Sequence, residues 1–241
     1  MENEILGQVT ESQIENRAPD ETGAAVAVPQ PPLIVVYHSI AFAFSALLSP
    51  YLVIPMGTLA IVASQPGLQR QLILWTSLSI FFSTAVPALY VVVQMLRGKI
   101  TDVHVMEREQ RSGPFVVAVI SSAVGAVILR MLEAPVQVWG IGLVLAVNGV
   151  IMLWISSFWK ISIHVAVLSA TVLAAIVMIP NVGGWRLSWM VPALIWARVT
   201  RGRHSLQQGL AAAVTASALT GGVMYLLNLW PRVEQVLDSL Y

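Results

Sequence analysis

Cysteine is absent from the 241 residues, so neither a disulfide nor a thiolate nucleophile can contribute. Charge is scarce as well: 10% of residues are Asp, Glu, Lys or Arg, and the net charge is +1. With no long basic run, nothing points to a nucleic-acid partner. No carboxylate cluster suggests a metal site. The N-terminus lacks a positively charged start running at once into an apolar core, so no cleavable signal peptide is expected. No internal repeat is visible.

What fills the chain instead is hydrocarbon. Hydrophobic residues make up 57% and the mean hydropathy is +0.77, well above the ~45–50% apolar content of soluble domains. The apolar residues come in runs near the ~20 residues that cross a bilayer as a helix. The composition therefore predicts an all-α polytopic membrane protein, partnered by the lipid bilayer.

Residues 1–32 form a separate regime. Glu2, Glu4, Glu11, Glu15, Asp20 and Glu21 face only Arg17, and Pro29, Pro31 and Pro32 close the segment. An acidic disordered tail is expected there, with an amphipathic helix over residues 5–14 as the alternative. The membrane part is residues 33–241. A first helix over 33–63 is interrupted at Pro50 and Pro55, and a second over 72–96 should kink at Pro87. After a polar stretch, 97–113, Pro114 suits the first turn of a third helix reaching 132. A fourth runs to 159, a fifth over 162–179, a short tryptophan-rich sixth over 187–199 and a seventh over 205–229. In the last, Ala211 to Ala213, Ala216, Ala218, Gly221 and Gly222 offer a close-packing surface. The expected fold is thus a bundle of six or seven transmembrane helices.

Alternating these helices across the bilayer gathers the polar loops. If the tail lies on side one, the second, fourth and sixth helices return there, bringing 97–113, 158–161 and 200–204 together. His104, His164 and His204 then share one surface. So do Arg17, Arg97, Lys99, Arg108, Arg111, Lys160, Arg198, Arg201 and Arg203, nine of the thirteen Lys and Arg residues. Orientation alone needs no histidine, so an anion site at one membrane face explains the convergence better than topology does. The densest stretch, Trp196 to Gln208, holds three arginines and a histidine between apolar segments. His204 and Gln208, four apart, share a helix face. Arg198 is suited to a phosphate oxygen while His204 attacks phosphorus or accepts a proton.

Here the chain resembles the type 2 phosphatidic acid phosphatase and haloperoxidase superfamily, in its membrane lipid phosphate phosphatase branch. Arg198-x5-His204-x3-Gln208 has the spacing of that family's third signature, Ser-Arg-x5-His-x3-Asp. Ser162-Ile-His164 is similar to the second, Pro-Ser-Gly-His, and residues 104–111 keep the spacing and arginine of the first, Lys-x6-Arg-Pro. The resemblance covers roughly residues 97–228. Ala197 and Gln208 stand where the family has serine and aspartate, Ile161 and Ile163 where it has proline and glycine. His104 takes the place of its lysine and Ser112 that of its proline.

What the resemblance implies is phosphoryl transfer through a covalent phosphohistidine, without metal or cofactor. His204 would be the nucleophile and His164 the general acid. Arg198 and Arg111, with His104, Lys160 or Lys99, would neutralise the phosphate oxygens, and Ser162 would donate a further hydrogen bond. Gln208 has two readings: an acceptor for His204 Nδ1–H in place of the family's aspartate, or half of a capping box with Ser205. The implied substrate joins a phosphate or pyrophosphate head to a membrane-dwelling tail, such as phosphatidic acid, phosphatidylglycerol phosphate or an isoprenyl pyrophosphate. A lipid-phosphate binding or assembly protein without turnover is the alternative. A transporter fits less well, because its polar groups would gather near the midplane. An inner-membrane location is expected. The basic residues lean the histidines to the cytoplasmic side, although setting aside Arg108, Arg111, Lys160, Arg198 and Arg203 as ligands leaves four on each side.

Overall fold

A computed structural model describes residues 32–101, 110, 112–179 and 184–229, and all regular structure among them is helical. The expected acidic tail lies outside the described residues. The bundle proper is the compact unit from Tyr37 onward. Eight helices build the described chain: α1 (Pro32–Leu47), α2 (Pro50–Ala63), α3 (Gln69–Leu96), α4 (Ser112–Met131), α5 (Val136–Phe158), α6 (Ile163–Met178), α7 (Met190–Thr200) and α8 (Leu206–Leu226). A 3₁₀ turn, Gly184–Leu187, precedes α7.

Proline sets the breaks. Pro50 sits at the start of α2, where its missing N–H costs nothing, and α1 and α2 meet at a bend of 50°. Pro55 lies inside α2 without ending it. In α3 the irregularity comes before Pro87, as a π-helical turn over Phe81–Ala85. The physical reason is that proline cannot bond the carbonyl four residues back, that of Ser83, and its ring pushes that carbonyl away. One extra residue in the preceding turn absorbs the displacement.

Four helices, α3, α4, α5 and α8, are long and apolar enough to cross a membrane, or five spans if the bent pair α1–α2 is one. The expected six or seven are not reached on length and composition. With 16 residues in α6 and 11 in α7, both fall short of the ~20 that hydrocarbon thickness demands. The shortness of α6 goes with its position. Eleven of its sixteen residues are buried, and it packs against α2, α5, α7 and α8. Large apolar side chains such as Leu89, Val127, Trp154 and Val214 point outward instead, as lipid-facing surface does.

Small residues set the helix spacing. The most extensive pair is α4 with α5, where a Cβ on Gly142 would lie 2.7 Å from the Ser122 carbonyl oxygen. On α8 the inward face is Gly209, Ala212, Ala216 and Thr220, with Gly209 close against Ile195 of α7. Ala218 and Gly222, expected on that face, turn outward. They fall off the 3.6-residue stripe that Ala212, Ala216 and Thr220 define.

Candidate functional site

The arginine–histidine stretch folds as one compact reversal. Past the end of α7, Arg203 N–H donates to the Arg198 carbonyl at 3.0 Å and Gly202 N–H to that of Val199 at 2.8 Å. Gly202 has φ +61. This is a Schellman turn, and it needs a residue at ease in the left-handed region. The chain then enters α8 through Ser205, whose hydroxyl accepts from Gln208 N–H at 3.3 Å. The five-residue spacing between Arg198 and His204 is the length of this turn plus one residue. It places both side chains on the same cavity.

Arg198 is buried, 5% exposed, and its Nη1 donates to Ser45 Oγ of α1 at 2.9 Å. A buried guanidinium needs acceptors, since its charge is costly in low dielectric. Outside it, the Arg201 guanidinium lies 4.8 Å from the Phe42 ring centroid, and Tyr37 Oη accepts from Trp196 Nε1 at 2.6 Å. These contacts hold α7 against α1. Ser45→Ala should cost ~1–2 kcal/mol, because the arginine loses a buried acceptor. Melting in detergent checks this, with Leu47→Ala at the exposed end of the same helix as the reference.

Gln208 turns out to serve both of its readings at once. Its Oε1 accepts from Ser205 N–H at 3.1 Å and lies 3.1 Å from His204 Nδ1. A backbone N–H can only donate, so the atom facing it is the amide oxygen and not the nitrogen. That oxygen can only accept, so His204 Nδ1 carries the hydrogen. In the neutral imidazole the lone pair then sits on Nε2.

His164 enters from a different part of the chain, at the second position of α6, and is buried at 6% exposed beside its N-cap Ser162. Ser162 is fully buried. Its hydroxyl makes no capping bond and has no hydrogen-bond partner among the described residues. The helix N-terminus adds positive potential where His164 begins. His164, Arg198 and His204 all line one cavity of about 200 Å³. The rest of its wall is mainly apolar, including Ile54, Pro87, Phe115, Leu145 and Met152, with Tyr51, Ser83, Thr84, Ser122 and Asn148 as polar exceptions.

The other sequence candidates stand apart. Lys99 and Lys160 are exposed and do not line the cavity. His104 and Arg111 lie outside the described residues. Ser45 escapes sequence reasoning because an isolated serine, one of two in an apolar helix, carries no spacing signal. Asn148 does carry one, as the amide in the middle of a 23-residue apolar helix whose other amide, Gln137, lies in its first turn, although no motif includes it. No family model, curated protein or solved structure matches this chain.

Proposed function

We propose that the chain is a membrane phosphatase acting on a lipid phosphate or isoprenyl pyrophosphate, built as a six- or seven-span bundle. The observation that carries this reading is the convergence of buried His164, Arg198 and His204 on one largely apolar cavity from segments far apart in sequence. A phosphate held by Arg198 meets a histidine whose Nε2 lone pair is fixed by Gln208, and the apolar walls suit the attached chain. In the first step Nε2 of His204 forms a bond to phosphorus, and the bond to the leaving oxygen breaks as His164 gives that oxygen a proton. In the second, His164 takes a proton from water as it attacks the phosphohistidine, freeing phosphate and restoring Nε2. Arg111 and His104, with Lys160 or Lys99, remain the further phosphate-binding candidates that the resemblance implies. We place the site at the cytoplasmic face, on the basic-residue count alone.

One observation favours a second reading, a lipid-phosphate binding protein without turnover. Gln208 is neutral, so it orients His204 but does not stabilise an imidazolium as a carboxylate would. Phosphate release from short-chain phosphatidic acid and from farnesyl pyrophosphate in detergent, with an orthovanadate control, tests the catalytic reading. Gln208→Asp should raise kcat about tenfold or more if the neutral amide limits turnover, while Ser205 capping persists. Absence of release from both parent and Gln208→Asp, with Arg198-dependent binding of the lipid phosphate, makes the binding reading the right one.

A further inference from the structure

Besides His164, Arg198, His204 and Tyr51, four polar side chains from three helices line the cavity. Ser83 and Thr84 come from the π-helical turn of α3, Ser122 from α4 and Asn148 from α5. Two helices measure the depth independently. Asn148 lies ten residues before Phe158, where α5 turns toward Ser162 and His164, ~15 Å at 1.5 Å per residue. Its partner Thr220 lies fourteen residues after Leu206, beside His204, ~21 Å on the same scale. The group therefore sits at mid-membrane depth, where polar residues are costly and tend to mark a substrate path.

Asn148 decides the chemistry. Its Nδ2 donates to the Val144 carbonyl at 2.9 Å and to Thr220 Oγ1 at 3.1 Å. The Val144 carbonyl can only accept, which fixes the amide and identifies the remaining atom as oxygen. That Oδ1 is buried and has no partner among the described residues. Interhelical adhesion accounts for Nδ2 and its bond to Thr220. It accounts neither for an acceptor left over nor for the residue's place on a cavity wall. An acceptor calls for a donor, and the absence of any carboxylate among the lining residues argues against a cationic one.

We infer that the inner end of the cavity is a second subsite, an acceptor for a hydroxyl on the substrate's tail, some 15 Å from the phosphate end. This rests on the reading of the outer end as a phosphate site. An extended chain covers ~3.5 Å per three bonds, so the distance corresponds to about a dozen bonds. A plain hydrocarbon tail of that length covers Asn148 Oδ1 and leaves it unsatisfied. A tail with a terminal hydroxyl supplies the missing donor, and the hydroxyls of Ser83 and Thr84, 3.4 Å apart, lie on the same cavity. The difference should be about tenfold or more in affinity.

The test compares dodecyl phosphate, its ω-hydroxy counterpart and hexyl phosphate, which is too short to reach. Binding to the detergent-solubilised full chain is read by ligand-dependent melting, and phosphate release is read separately. The ω-hydroxy ligand should bind the parent about tenfold more tightly than dodecyl phosphate. Asn148→Leu should abolish or invert that preference and leave hexyl phosphate unchanged. Equal binding of the two long ligands by the parent, or tighter binding of the plain chain, overturns the subsite whether or not the variant folds. A preference unaltered in folded Asn148→Leu overturns it too. Phosphate release bears on the outer end alone: an Asn148-dependent preference without release keeps the subsite and removes the phosphatase. Release without a preference does the reverse.

Discussion

His204→Ala should lower phosphate release by roughly 10³-fold or more while leaving the fold intact. The size of the effect follows from the site's construction. His204 Nδ1 faces the amide oxygen of Gln208, which fixes the lone pair on Nε2, and His164 sits in another helix on the same cavity. Alanine removes the atom that would bond phosphorus, and water cannot occupy its place with the same orientation. Arg198 stays where Ser45 holds it, so lipid-phosphate binding should change little. His164→Ala should be less harmful toward pyrophosphate or aryl phosphate, whose leaving groups depart without much protonation, than toward an alkyl phosphate. Phosphate release measured on both substrate types, alongside binding, checks the pair. Parent-like release from His204→Ala would remove the phosphohistidine mechanism.

The second large effect is on stability. Gly142→Val should cost ~3 kcal/mol, the upper end of overpacking penalties, because a Cβ there meets the Ser122 carbonyl oxygen at 2.7 Å and the Ala126 side chain at 3.1 Å. A flexible side chain would yield by changing rotamer. A backbone carbonyl in the middle of α4 yields only if the two helices separate, and this pair is the most extensive in the bundle. The wall carrying Ser122 and Asn148 would move with it. Gly222→Val on α8 is the matched control, with nothing within 4 Å of its Cβ, and it should change stability by no more than ~0.5 kcal/mol. Melting of the two variants in the same detergent gives the comparison. Equal loss in both would mean that α4 and α5 are not packed as described.

The helices were legible in the sequence because their causes are local. Runs of apolar residues ended by Pro135, by Pro180 to Gly184 and by the Arg201 to His204 turn place α5 to α8 within a few residues of their observed bounds. The Ser205–Gln208 box and its link to His204 were readable for the same reason, since residues four apart on a helix must share a face. Local pattern failed where an element's role depends on its neighbours. Hydropathy did not reveal that α6 is a sixteen-residue helix enclosed by four others. Proline marked α3 as irregular, but the accommodation occurs in the turn before Pro87, because the lost bond belongs to the residue four positions earlier.

By itself, then, the sequence determined an all-helical chain of membrane-spanning runs and the residue types able to handle a phosphate. Tertiary structure alone decided which of those residues share a cavity. Lys99 and Lys160 have the right charge but lie exposed, while Ser45 and Asn148, silent in any motif, face Arg198 and the cavity's inner wall. The reason is geometric. A motif fixes distances along one helix or across one turn, to within a few ångströms of chain. Whether side chains more than a hundred residues apart meet depends on helix spacing, and here that is set by contacts such as Gly142 against α4 and Gly209 against α7.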